Sequence, residues 1–569
     1  MSPHHYVLGI HDGHNASVCL LENGKVIFAI QEERLNRIKN FWGFPRESVN
    51  AAFQFAHLQP KDIDCVALAS FHVAKSSGKD IRQLYKEEAQ WRGWINEGIA
   101  KTPVYDFYKM RRKEERLNNV EQCGLPRARV RFVEHHLCHA SSVYYGLPVP
   151  RDEKILILTA DGSGDGLCAT VNIAEQGEIK RIASTDKGHS LGNIYSRVTF
   201  LLGYKPWEHE YKLMGLAPYA SSRDSEKTHK IFQNYIGISK SNLLQFERKI
   251  PEPTHLIYNR IKRDTRLMRA DAICGGLQNM LEEVLCDWVK ACVRETGIKK
   301  IALSGGVFMN VKANKRILEL EEVEELFVMP SCGDETNSLG AAYRTYYEEK
   351  KSIPASFDNF YLGNDMDDRE VATILQDDQS KNAHFQFQRL EDIEYKVAEL
   401  LSEGAIVARC KGRMEFGARA LGNRSILADP KDSSVRDDIN RMVKMRDPWM
   451  PFAPVVKKER AGEYMVNPKQ TDSPYMMMTF DTTQKREELK AAIHPADLTA
   501  RFQIVDKASN PEYYKIIEEF EKRTGRAVLL NTSFNIHGSP IVCTPRDAME
   551  AFLNSGLKYL ALGQYLIWK

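Results

Sequence analysis

None of the eleven cysteines stands in a Cys-x-x-Cys pair, which removes the usual signature of zinc ribbons and dithiol redox centres. Their scattered, mostly apolar settings, as at Cys19, Cys138, Cys168, Cys332 and Cys410, predict reduced thiols in the cytosol. No apolar run approaches the roughly 20 residues that span a bilayer. The opening Met-Ser-Pro-His-His-Tyr has neither the basic start nor the long apolar stretch of a signal peptide, so a cytoplasmic protein without membrane attachment is expected. Net charge is nearly absent as well: 79 basic against 76 acidic residues leave +3, with no polybasic run. A nucleic-acid partner is therefore not expected.

What is present is apolar material, 43% of 569 residues, enough for two or more cores. Two distant stretches share one pattern. Val7-Leu-Gly-Ile-His-Asp-Gly followed by Ser17-Val-Cys-Leu-Leu-Glu-Asn-Gly-Lys-Val-Ile matches Ile155-Leu-Ile-Leu-Thr-Ala-Asp-Gly followed by Ala169-Thr-Val-Asn-Ile-Ala-Glu-Gln-Gly-Glu-Ile. Each reads as a strand, an Asp-Gly turn, a second strand, a glycine turn and a third strand. Such a long offset suggests a duplicated half-domain, with Asp12 and Asp161 equivalent, one on each lip of a cleft. Apolar residues recur at three- and four-residue steps from Ala270 to Thr296 and predict a core helix. Lys300-Ile-Ala-Leu-Ser-Gly-Gly-Val reads as a strand entering a glycine turn, with a helix start near Asn314. Lys351-Ser-Ile-Pro-Ala-Ser-Phe-Asp-Asn breaks the composition and predicts a linker, which divides the chain into domains 1–355 and 356–569. The second domain alternates helical stretches with strands and reads as α/β. The charged, aromatic-rich insertion at 82–120, with Trp91, Trp94 and Tyr105, fits a solvated cover better than a binding lid.

His135-His-Leu-Cys-His139 puts two imidazoles four residues apart on one helix face, where they can grip one metal ion while His136 points elsewhere. Taken alone such a pair is more often structural than ligating. The following strand ends at Asp161, and imidazole plus carboxylate suits iron, zinc or manganese. Asp334, in Ser331-Cys-Gly-Asp-Glu-Thr-Asn, reads equally as a further ligand or as a helix N-cap. The helix after it is rich in small residues and could pack closely on a nucleotide-binding helix. Gly305, Gly306 and Asn310 follow a buried strand and suit close approach of backbone to an adenosine nucleotide. In the second domain Arg419, Arg424, Lys444, Arg446 and Arg501 occur with Asn531, Ser533 and Asn535 among glycines, a set suited to phosphate and acyl-phosphate oxygens.

With these motifs laid out, together with Glu32-Glu-Arg and Lys39, Glu210-Tyr-Lys-Leu-Met-Gly-Leu-Ala-Pro-Tyr219, Pro451-Phe-Ala-Pro454 and Leu530-Asn-Thr-Ser-Phe-Asn535, the chain resembles a carbamoyltransferase family over essentially its full length. That family includes the nodulation-factor, cephamycin and tobramycin O-carbamoyltransferases. The resemblance implies an N-terminal duplicated actin/hexokinase-like (ASKHA) domain, similar to tRNA threonylcarbamoyl-transfer proteins. It also implies a C-terminal YrdC-like α/β domain, similar to the carbamoyl-adenylate-forming domain of a hydrogenase maturation factor. Carbamoyl phosphate and ATP, the latter with Mg2+, would give carbamoyl-adenylate and pyrophosphate, and the carbamoyl group would pass to a hydroxyl of a sugar or natural product. His135, His139, Asp161 and Asp334 then correspond to metal ligands, with Fe2+ the expected ion. Lys39, Gly305, Gly306 and Asn310 correspond to nucleotide contacts. Arg419, Lys444, Arg501, Asn531 and Ser533 correspond to carbamoyl phosphate contacts, the first three of them catalytic. His14 is the candidate for assisting deprotonation of the acceptor hydroxyl. A homodimer is compatible with all of this. Two departures stand out: Met450 precedes Pro-Phe-Ala-Pro where family members commonly have Arg, a loss that Arg446 or Arg424 could make good, and His14-Asn15 replaces a common His-Asp. A small-molecule kinase, a tRNA threonylcarbamoyl transferase and a nucleotide-sensing scaffold are the rival readings.

Overall fold

The computed structural model describes residues 4–76, 78–89, 91–100, 102–380 and 384–569. The chain divides into two compact units, one of Met1–Glu32 with Asn40–Phe357, the other of Glu33–Lys39 with Asp358–Lys569.

The first unit builds one five-stranded plan twice. Strands β1 (Tyr6–His11), β2 (Ser17–Glu22) and β3 (Lys25–Gln31) form an antiparallel meander, and β4 (Cys65–Ala69) and β5 (Val130–Val133) add in parallel, giving the order β3-β2-β1-β4-β5. Strands β6 (Ile155–Gly164), β7 (Leu167–Glu175) and β8 (Glu178–Asp186) repeat the meander. A small hairpin of β9 (Ile236–Ile238) and β10 (Phe246–Arg248) intervenes, then β11 (Lys300–Ser304) and β12 (Glu325–Val328) complete the second sheet as β12-β11-β6-β7-β8. The central strands are buried on both faces, as the unbroken apolar runs Val-Leu-Gly-Ile and Ile-Leu-Ile-Leu require. The core helix spans Ala270–Thr296 and ends where Gly297 takes a left-handed conformation (φ 71).

The histidine helix His135–Gly146 is crossed by the small-residue helix Asn337–Lys350. A Cβ on Gly340 would sit 1.8 Å from the carbonyl oxygen of Cys138, and one on Gly9 of β1 would sit 2.0 Å from that of Ser338. The small residues thus serve the histidine helix and β1, and they bring the turn at Asp334 over the imidazoles. This replaces the expectation that they face a nucleotide-binding helix.

The two Asp-Gly turns are not equivalent in use. Asp12 is fully buried and receives both Nε and Nη2 of Arg116, at 2.9 and 2.8 Å, from the helix Pro103–Glu121. Arg116 also donates to the carbonyls of Ala69 and Ser70. The insertion is therefore a cover on one face only, with Val104, Phe107 and Met110 exposed, while its other face sends a cation into the core. Truncating Arg116 to Ala should cost about 3–5 kcal/mol, because it strands a buried carboxylate. Thermal or denaturant unfolding would show it; an unchanged midpoint would mean that Asp12 had found water instead.

The second unit centres on an eight-stranded mixed sheet. Its order is Gln386–Arg389, Tyr565–Trp568, Tyr559–Leu562, Val407–Cys410, Arg424–Ala428, Val528–Ser533, Ala453–Lys457, Gln503–Val505. Alternate strand residues serve opposite cores. Val407 and Leu427 meet the helices Ile393–Ser402 and Pro511–Thr524, whereas Ala408 and Ile426 meet the helices Asp368–Ser380 and Pro545–Leu553. The stretch Glu33–Lys39 belongs here because its arginines are tied to this unit: Arg34 donates to the carbonyl of Gly417, and Arg37 to those of Pro540 and Ile541. Among the described residues no helix is long and apolar enough to cross a membrane.

Candidate functional site

Helical spacing fixes half of the first cluster. His135 and His139 lie one turn apart, and their Nε2 atoms approach to 3.2 Å. The end of β6 supplies Asp161, whose Oδ2 lies 3.1 Å from His135 Nε2 and 3.7 Å from His139 Nε2. The turn after β12 supplies Asp334, whose Oδ1 lies 3.5 Å from each imidazole nitrogen. All four ligand atoms fall within 4.8 Å of one another. Metal bonds of about 2.0–2.2 Å put neighbouring ligand atoms roughly 3–3.5 Å apart, so the donors already stand at ligand spacing. The Asp334 side chain caps neither of the helical turns that start here, so the N-cap reading does not hold. His136 turns away, with Nδ1 on Thr159 Oγ1 at 2.8 Å.

The outer partners were not singled out from sequence. Ser70 Oγ meets His135 Nδ1 at 3.1 Å and Ser304 Oγ meets His139 Nδ1 at 3.4 Å, so in each ring Nε2 is the nitrogen left for an ion. The Asp165 carboxylate accepts from the backbone of Phe71, His72 and His135 and fixes the entry of the histidine helix. Gly164 is needed because a Cβ there would lie 2.0 Å from the His135 ring. Nothing local marks Ser70, whose role depends on strand β4 ending beside that ring.

Burial alone would strip the protons from His135 and His139, but the carboxylates outweigh it. His135 is pushed up to about 9 by Asp334 and Asp161, and His139 is raised by the same pair. Burial would likewise raise Asp161, yet hydrogen bonds from His135 and His139 hold it well below the usual carboxylate range. His11 is lowered, burial outweighing the pull of Asp334, and its Nε2 lies 3.9 Å from Asp334 Oδ2 and 3.0 Å from the carbonyl of His14. Two imidazoles and two carboxylates fit a first-row divalent metal.

Gly305 (φ 107) and Gly306 adjoin this cluster: Gly306 N–H donates to Asp161 Oδ1 at 3.2 Å, and a Cβ on Gly305 would lie 2.3 Å from the carbonyl oxygen of Ala160. Asn310 is engaged otherwise. It caps the helix Val311–Leu318 through Ala313 N–H and exchanges amide hydrogen bonds with Gln278. Lys39 is part of the second unit and does not share a unit with Gly305 and Gly306, because the neighbouring Arg34 and Arg37 bind second-unit carbonyls. His14 lies against the indoles of Trp42 and Trp207.

The second unit gathers cations. Lys444 closes the π-helical turn Asn440–Lys444 and donates to Ser533 Oγ at 3.0 Å and Asn535 Oδ1 at 2.6 Å. Burial, then Arg446 and Lys39, hold its ammonium well below the usual lysine range. Withdrawal from water, then Arg419 and Arg446, lower Arg501 likewise, although part of its side chain still reaches the surface. A bound anion would relieve such repulsion. Arg501 Nε and Asn531 Oδ1 are buried polar atoms without a hydrogen-bond partner among the described residues, while Asn531 Nδ2 is held by Ala420 and Gln503. Glu415, which sequence reasoning passed over, accepts from the backbone of Leu421, Asn423 and Arg424 and shapes the loop that carries Arg419. Met450 is buried. Arg424 does not replace the missing arginine, since it is buried in hydrogen bonds to the carbonyls of Gly412 and Cys543; Arg446 does stand in the cluster.

The family model described as Carbamoyltransferase N-terminus matches residues 6–343, and that described as Carbamoyltransferase C-terminus matches residues 398–569. The nodulation protein NolNO of Sinorhizobium fredii is 33% identical over 98% of this chain and 79% of its own length. The 3'-hydroxymethylcephem-O-carbamoyltransferase of Amycolatopsis lactamdurans is 27% identical over 62% of this chain and 63% of its own. Among solved structures, full-length HypF in a phosphate- and nucleotide-bound form aligns with 62% of this chain and 56% of its own at 15% identity and a TM-score of 0.37.

Proposed function

The chain belongs to the carbamoyltransferase family, and on that premise we propose that it is an ATP-dependent O-carbamoyltransferase working through carbamoyl-adenylate. The observation that carries the reading is the coexistence in one chain of two sites of complementary chemistry. Lys444 and Arg501 lie withdrawn from water beside further cations in the second unit, and a two-histidine, two-carboxylate cluster beside a glycine turn lies in the first.

In the second unit Arg419, Lys444 and Arg501 oppose the phosphate charge of carbamoyl phosphate, and Ser533 helps seat it. The orphaned Asn531 Oδ1 accepts an N–H of the carbamoyl amide, a group that bare phosphate lacks. The reaction balances with one water. Water cleaves carbamoyl phosphate to carbamate and phosphate, and a carbamate oxygen then displaces pyrophosphate from the α-phosphorus of ATP, which enters with Mg2+. In the first unit Gly305 and Gly306 let backbone approach the adenylate. The acceptor hydroxyl adds to the carbamoyl carbon, AMP leaves, and the hydroxyl proton departs with the help of His14. His135, His139, Asp161 and Asp334 hold a divalent metal, for which we favour iron; when bound it supplies Lewis acidity toward carbonyl or phosphate oxygen. The scattered, mostly buried cysteines are the basis for proposing a cytoplasmic setting.

The test is mass spectrometry of hydroxyl acceptors incubated with enzyme, ATP and carbamoyl phosphate. The expected result is one added carbamoyl unit, with AMP, phosphate and pyrophosphate formed in equal amounts. ADP with a phosphorylated acceptor would establish a kinase. Dependence on threonine and bicarbonate would establish threonylcarbamoyl transfer.

A further inference from the structure

An aromatic group surrounds His14 in the first unit. Trp42 and Trp207 face each other with ring centroids 5.7 Å apart and planes inclined by 58°. His14 stands edge-on to Trp207 at 5.1 Å. Tyr85, buried, backs Trp207 at 6.1 Å. Trp207 nevertheless keeps 40% of its surface exposed.

The backbone at Trp207 is strained. Its φ of +64° lies in the left-handed region, a genuine outlier for so bulky a side chain and one that costs on the order of 1–3 kcal/mol. A glycine would sit there without penalty. The conformation is held by Glu210, whose Oε1 accepts the Trp207 N–H at 2.8 Å and whose carboxyl burial pushes up to about 7. Trp42 is fixed as well, by its indole N–H on the carbonyl of Ala74 at 3.0 Å and by a backbone bridge to His14. The fold thus holds an indole in an unfavourable conformation with its face partly open to water.

The pair is joined to the metal-ligand cluster. The carbonyl of His14 receives the ring of His11 at 3.0 Å, and that ring faces Asp334. A molecule lying on the indoles therefore has His14 at its edge and the cluster one imidazole beyond. Two indoles at 58° cannot sandwich a flat ring, which needs parallel faces. They offer an apolar wedge to a puckered ring, with imidazole and carboxyl at its margin for hydroxyls.

We infer that Trp42 and Trp207 form the acceptor platform and that it takes a pyranose-type sugar ring, stacking the ring's C–H face on the indoles and presenting one hydroxyl to His14. The inference rests on the carbamoyl transfer proposed above and names its acceptor class.

The experiment compares wild type with Trp207→Ala, Trp207→Phe and Trp42→Ala on methyl glycosides, linear polyols and a planar aromatic alcohol. The readouts are acceptor KM, acceptor-independent ATP–pyrophosphate exchange driven by carbamoyl phosphate, and thermal midpoint. Glycosides should be carbamoylated in preference to polyols, with KM raised tenfold or more in Trp207→Ala and Trp42→Ala and largely restored in Trp207→Phe. Unchanged KM with a lowered midpoint would make the indoles packing only, and preference for the aromatic alcohol would replace the sugar by a flat acceptor; either result overturns the inference. Absent exchange in wild type would count against the carbamoyl-adenylate reading alone. Quenching of indole fluorescence by methyl glycosides in wild type but not in Trp207→Ala then still decides whether the platform binds sugar.

Discussion

Asp161→Asn should abolish stable metal binding and lower carbamoyl transfer by about a thousandfold or more, while the fold persists. The substitution keeps the side-chain shape and removes one charge. Asp161 Oδ2 lies 3.1 Å from His135 Nε2 and 3.7 Å from His139 Nε2, and its Oδ1 also receives Gly306 N–H beside the glycine turn. With an amide there, two neutral imidazoles and one carboxylate remain to balance a divalent ion, and the ligand set loses its anionic partner facing β11. Loss of one preorganised electrostatic element is worth about 10²–10³ in rate, and loss of the ion adds to that. Elemental analysis of the purified protein, read beside circular dichroism and the transfer assay, checks the outcome. Retained metal and rate in a folded variant would reduce the cluster to a buried ion-pair network.

Arg501→Ala should lower carbamoyl-phosphate-dependent ATP–pyrophosphate exchange by about a hundredfold or more and leave the metal content intact. Its second signature is in stability. Arg446 and Lys39 disfavour the charge on Lys444, and Arg419 and Arg446 that on Arg501, so an anion bound there is expected to stabilise the fold. Inorganic phosphate should therefore raise the thermal midpoint of wild type, by about 2.7 kcal/mol of stabilisation at a hundred times its Kd. In Arg501→Ala the ligand-free midpoint should rise or hold, and the phosphate response should disappear. Arg501→Lys should not rescue exchange, because a point charge cannot reproduce the guanidinium fork.

The sign of the pH dependence follows from Lys444. Its folded-state pKa is depressed, so between that value and the ordinary lysine value near 10.4 the unfolded chain binds more protons. Stability of the ligand-free protein rises with pH through this window. An anion favours the protonated form of Lys444, so within that window phosphate binding should be accompanied by proton uptake at Lys444, which calorimetry in buffers of different ionisation heat measures. A lowered midpoint in Arg501→Ala with an undiminished phosphate response would remove the cluster from carbamoyl phosphate binding.

Part of this site was legible in the chain because it is local. The four-residue spacing of His135 and His139 is a property of any helix, and the unbroken apolar runs before Asp12 and Asp161 mark strands covered on both faces. The helix Ala270–Thr296 declares its face and its glycine stop. The duplicated plan showed itself because each half repeats a strand, turn and strand grammar that needs no distant partner.

What only the tertiary structure decided is which like residues share a fate. Asp12 and Asp161 sit in matching turns, yet one is neutralised by Arg116 from a distant insertion and the other faces two histidines. Lys39 follows the first sheet's meander in sequence but lies in the second unit, because Arg34 and Arg37 find carbonyls there. Arg424 and Arg446 are alike in composition and context, but one is spent on backbone carbonyls and the other helps set the field at Lys444. Charge and hydrogen-bonding capacity are properties of a side chain alone; whether they are consumed by the fold or left for a ligand depends on partners that lie far away in sequence.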